Sequence, residues 1–199
     1  MYRHPQKKQC KVPNKCETLF KTITAYSWVG CCMLCRNLRG WRRKPMMCSE
    51  VPGTIKKFKR TDWRFQQTFL TPLKDLRRFV DTIVSAMKTV ETASLTVDTW
   101  VFEPRHLNEL LASYGLSPRY PHDLTVSASG EEEIEELLYA ALSDWVDFLF
   151  VSQPKPFVIY ADHDEYTTFC AQTRSNLNRV TKPLSENGFK LIPGYVRRF

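Results

Sequence analysis

At 199 residues, with 43% hydrophobic and 25% charged side chains, the chain carries enough apolar material for one ordinary core and lacks the bias of a disordered or fibrous polymer. Its formal net charge of +8 is unevenly spread, because residues 1–60 hold 15 lysines and arginines against Glu17 and Glu50, while residues 61–199 hold 14 against 19 acids. Composition therefore divides the chain into a basic, cysteine-rich leader over 1–60, expected to stand outside the fold, and a single, mildly acidic domain over 61–199.

The leader permits several readings. Cys10, Cys16, Cys31, Cys32, Cys35 and Cys48 lie in it, whereas the domain holds Cys170 alone and so has no disulfide framework, which suits a cytoplasmic protein. Residues Thr22 to Cys35 are uncharged but fall short of the roughly 20 apolar residues that a membrane-spanning helix needs. The prolines and Glu17 ahead of them do not suit a secretory signal. Cys32 and Cys35 form a C-x-x-C pair, with Cys10, Cys16, Cys48 and His4 as further ligand types, yet zinc needs a second tight pair. Between residues 36 and 60, Arg36, Arg39, Arg42, Arg43, Lys44, Lys56, Lys57, Lys59 and Arg60 alternate with Trp41 and Phe58, and Trp63 follows. Cations that neutralise phosphate beside rings that stack on bases make nucleic acid a candidate partner of this stretch.

The domain opens with Thr71-Pro72, an N-terminal helix signature, followed by Leu73, Leu76, Val80, Ile83, Met87 and Val90 at three- and four-residue spacing. Leu95 to Phe102 alternates as a strand rich in β-branched and aromatic residues. Glu103-Pro104 starts a short helix that Gly115 ends. Leu124 to Ala128 reads as a second strand. Ser129 and Glu132 then form a capping box for a long acidic helix whose apolar stripe runs from Ile134 through Leu142 and Trp145 to Leu149. Phe157–Ala161 and Tyr166–Ala171 read as strands joined by Asp162-His163-Asp164-Glu165, an antiparallel hairpin. Thr173 caps a last helix with Leu177, Val180 and Leu184 inward, and Phe189 to Val196 closes the chain as a fifth strand. The expected fold is α/β (α+β): a mixed sheet of about five strands packed by about four helices in the order α-β-α-β-α-β-β-α-β.

The densest chemical cluster is the tip Asp162, His163, Asp164 and Glu165, although neighbours on an extended chain point alternately and only two of them can face one ligand. Arg174 and Arg179 place cations on the last helix, where they can receive an anion or pair with the acidic helix. His106 and His122 lack partners at metal-ligand spacing. No phosphate-loop, dinucleotide or serine-hydrolase motif occurs, and the sequence specifies no cofactor and no metal. The preferred reading is a small non-enzymatic protein-interaction domain that offers its acidic helix and acidic tip to a basic patch on another protein. The alternatives are nucleic-acid binding through the leader and a metal-dependent hydrolase or transferase at the tip.

Overall fold

In a computed structural model, residues 46–88, 90–117 and 123–198 are described. The zinc reading of Cys10, Cys16, Cys32, Cys35 and His4, the targeting readings, the basic run up to Lys44 and His122 all lie outside the described residues.

Among the described residues twelve elements follow in order: β1 (Met47–Glu50), α1 (Thr54–Lys59), β2 (Phe65–Leu70), α2 (Leu76–Met87), β3 (Thr92–Thr99), α3 (Arg105–Ser113), β4 (Leu124–Ser129), α4 (Glu131–Ser143), β5 (Asp147–Gln153), β6 (Val158–Ala161), β7 (Tyr166–Ala171) and α5 (Arg174–Glu186). The strands form one sheet in the order β1-β4-β3-β5-β6-β7-β2, and every neighbouring pair is antiparallel. The expected mixed sheet of five strands is thus an antiparallel sheet of seven. Helices α2 and α4 do connect strands that point the same way, β2 to β3 and β4 to β5. Three strands separate β2 from β3 and one, β3 itself, separates β4 from β5, so the parallel partners never touch.

Alternation along the strands sorts the two faces. Leu95, Val97, Val126, Phe148, Phe150, Ile159 and Phe169 point to one face and form the main core with Phe79, Ile83, Leu107, Leu137, Leu138, Val180 and Leu184 from helices α2 to α5. Leu149, Val158, Tyr160 and Cys170 point to the other face, where Ile55 and Phe58 of α1 cover them. The Phe58 and Tyr160 rings stack with centroids 5.7 Å apart. Burial pushes the Cys170 thiol up to about 12, so this cysteine is an inert core side chain.

Residues 46–60, which composition assigns to the leader, belong to this fold: β1 pairs with β4, and Met46, Ile55 and Phe58 are buried. Charge misplaced the boundary because Lys56, Lys57, Lys59 and Arg60 all sit on the exposed side of α1 and its cap. Since β1 and β2 are opposite edges, the chain between them must cross six strand spacings, about 29 Å. It does so over the second face, and α1 lies in that crossing.

Two further expectations change. The acidic helix ends at Ser143, and Leu149 belongs to β5, a strand missing from the sequence reading. Its cap also differs: Ser129 makes no side-chain cap, and the buried Glu133 carboxylate accepts the Ser129 N–H at 3.2 Å. The expected fifth strand over 189–196 reduces to a bridge between Leu191 and Phe69, supported by Leu70 N–H to Lys190 O and Ile192 N–H to Thr68 O, both 2.9 Å.

Candidate functional site

The second face of the sheet carries two polar regions, one at each side of α1. At the first, the ends of β3, β5 and β6 bring together Asp98, Asp147 and Asp162. The Asp98 Oδ2 accepts from the Tyr160 hydroxyl at 2.5 Å and from Lys59 Nζ at 2.6 Å. Burial, reinforced by the hydrogen bond to Asp98, raises the Tyr160 phenol well above its ordinary value, so it stays protonated and donates. Asp147 accepts both the backbone N–H of His163 at 2.8 Å and its Nδ1 at 2.9 Å. That hydrogen bond, together with the negative charges of Asp147 and Asp164, raises the His163 imidazole above its usual value. Asp162 is ion-paired with Arg197, whose guanidinium also lies 4.5 Å over the Tyr160 ring.

This geometry separates the four residues of the acidic tip. Asp162 is only 4% exposed and closes the hairpin by accepting the N–H groups of Asp164 at 3.0 Å and Tyr166 at 3.2 Å. His163 turns to Asp147, while Asp164 and Glu165 are exposed. The tip is thus a structural turn with two outward carboxylates. Among the described residues no group of three or more histidines, cysteines, aspartates and glutamates is arranged to hold a metal ion. The convergence of Asp98 and Arg197 on Tyr160 escaped sequence reasoning. The one available signal was Asp98, the charged residue on the Thr92, Ser94 and Thr96 side of β3.

The acidic helix is engaged in the same way. Arg77 of α2 reaches Glu136 at 2.8 Å and Glu135 at 3.4 Å, and its guanidinium packs 3.8 Å over the Tyr139 ring. The cation expected to meet this helix from α5 therefore comes from α2. Arg174 instead lies 5.5 Å over the Phe65 ring, and Arg179 lines a shallow hollow between α2 and α5 that also holds Arg78, Asp81 and Lys182. Two of those cations are already matched, Arg78 with Asp75 and Lys182 with Glu186. His106 lies apart from both, its Nδ1 bonded 2.6 Å from the buried Asp144, which also accepts the Leu107 N–H and so caps α3.

The second polar region is a groove of about 550 Å³ between α1, the strands β5 and β6, and the loop that joins them. Leu149, Val151 and Val158 form its floor, with Lys57 of α1 and Lys155 of the loop on its walls. Trp63 closes one side, anchored by its Nε1 donating to Phe58 O at 3.3 Å, with Lys155 Nζ 5.5 Å over its ring. No carboxylate occurs among the described residues lining this groove. Lys56, Arg60, Asp62 and Arg64, on or beside α1, are exposed but do not line it. The arrangement is a half-apolar concavity with positive walls, chemistry suited to an anion that carries an apolar part.

Comparison of the chain with protein families, with curated proteins and with solved structures gives no match. Among the described residues no helix is long and apolar enough to cross a membrane.

Proposed function

We propose that the domain is a non-enzymatic binding module whose contact surface is the α1 face of the sheet, and that its partner is anionic there. The observation that supports this is the groove under α1, where Lys57 and Lys155 face an apolar floor with no lining carboxylate. Catalysis is disfavoured by the pairing at the other end of the face, since Asp98, Asp147 and Asp162 are each held by a hydroxyl, a histidine or a cation. A partner with a basic patch, docking on the acidic helix and tip, is the weaker reading. Glu133, Glu135, Glu136 and Asp162 each pair within the molecule, and the exposed acids are Glu131 and Glu132 at the start of the helix and Asp164 and Glu165 of the tip.

The test uses the full chain with poly-L-glutamate as probe and tryptophan emission as readout, with Trp63→Phe defining the part of the signal that arises in the groove. The expected result is a saturable change that weakens with salt and whose affinity drops about tenfold in Lys57→Glu/Lys155→Glu. An emission that ignores the probe, or a titration that the two reversals leave unchanged, contradicts the proposal.

A further inference from the structure

The groove does not end beneath α1. On the second face the strand registers place Met47 opposite Ser127, Ser127 opposite Ser94, Ser94 opposite Val151, and Val151 opposite Val158. These five residues form one cross-strand row from edge strand β1 to β6. Ser94 and Val151 line both the groove and a second hollow of about 270 Å³, which reaches Met47. The two hollows are therefore one trough. It spans four strand spacings, about 19 Å, the length of about six residues of extended chain.

Its chemistry changes from end to end. Lys57 and Lys155 stand at one end, the serine hydroxyls of Ser94 and Ser127 line the middle, and Met47, 59% exposed, forms an apolar lip at the other end. A nucleic-acid strand needs cations along its whole length and open ring faces for its bases. Here the lysines are confined to one end, Phe58 is buried, and the Trp63 ring is flanked by Phe58 at 5.4 Å and by the Lys155 ammonium. An acyl chain would strip water from the serine hydroxyls and return no hydrogen bond. A polypeptide meets all three zones: carboxylates for the lysines, main-chain amides for the serines, and an apolar side chain for Met47.

We infer that the trough holds an extended segment of a partner protein, acidic at the end over Lys57 and Lys155 and apolar at the end over Met47. This rests on the reading of the α1 face as the contact surface. The test titrates the full chain with fluorescein-labelled probes of equal length: a peptide with an acidic half and a Leu/Val half, an all-glutamate peptide, and oligodeoxythymidylate. Myristate is added as an unlabelled competitor. The half-apolar peptide is expected to bind about tenfold tighter than the all-glutamate peptide. Met47→Ser, at an exposed position and with circular dichroism as its folding control, is expected to remove that advantage and leave the all-glutamate affinity as it was. Lys155→Glu is expected to weaken both peptides. Equal affinity of the two peptides, tighter binding of the oligonucleotide, or displacement by myristate overturns the inference while leaving an anionic partner at α1 in place. If no probe perturbs the Trp63 emission, the reading of the α1 face falls with it.

Discussion

Asp162 and Asp164 are two residues apart and identical in chemistry, yet the fold gives them different work. Asp162 is buried, accepts two backbone N–H groups and pairs with Arg197, while the Asp164 side chain is 69% exposed. Asp162→Asn leaves the Arg197 guanidinium without its charge partner and is expected to cost about 3 kcal/mol, whereas Asp164→Asn should change stability by less than about 0.5 kcal/mol. Urea unfolding of the two variants separates them, and equal small effects would place Asp162 in solvent. The tetrad was legible as a hairpin tip, but its division was not. The residue that turns Asp162 inward is 35 positions further along the chain, and a local reading of the tip has no access to it.

His163 adds a pH dependence whose sign follows from its surroundings. Asp147 favours the protonated ring, so the folded-state value lies above the unfolded one. The associated stabilisation is complete below the unfolded value of about 6.5 and is lost as pH rises through the folded value. The neutral ring keeps a hydrogen bond to Asp147 and gives up only its charge. The difference in Tm between the wild type and His163→Gln should thus be largest near pH 6 and shrink toward pH 8.5. A difference that grows with pH would mean that the ring is neutral when folded.

At the scale of elements, periodicity located α2, α3, α4, α5, β3, β4 and the β6–β7 hairpin, and Gly115 marked the end of α3 as a left-handed residue should. The same closure ends α4 with a residue that hides it. Val146 N–H bonds back to Ala141 O and Trp145 N–H to Leu142 O, with Trp145 at φ 54° in the position that glycine normally takes. With no glycine to stop the pattern, the apolar stripe reads on into Leu149 and absorbs β5. Leu142 lies before that end and remains a core residue at 4% exposure, so Leu142→Ala is expected to cost about 2 to 5 kcal/mol. Calorimetry that finds under about 0.5 kcal/mol would lift α4 off the sheet. Strand β2 was missed for another reason: Gln66 and Gln67 interrupt its alternation, and its pairing with β7 joins residues about a hundred positions apart.

Across the whole molecule, the misread boundary and the missed groove have one cause. A short helix with two buried side chains, Ile55 and Phe58, and exposed lysines looks by composition like more of the basic leader. Only the topology, which sets β1 and β2 at opposite edges, requires those residues to cross the sheet. Once they cross, they cover part of the second face and leave the rest as a trough whose cationic end is walled by Lys57 of α1 and Lys155 of the β5–β6 loop. The candidate site is thus a product of strand order, and no local motif announces it.

Amide hydrogen exchange of the full chain, with and without poly-L-glutamate, addresses this account most directly, because it locates the contact without assuming it. Added protection at residues 54–64 and 149–158, lost in Lys57→Glu/Lys155→Glu, is the predicted result. Protection confined to residues 131–136, to 162–165 or to the segment before Met46, with the α1 region unchanged, would contradict it.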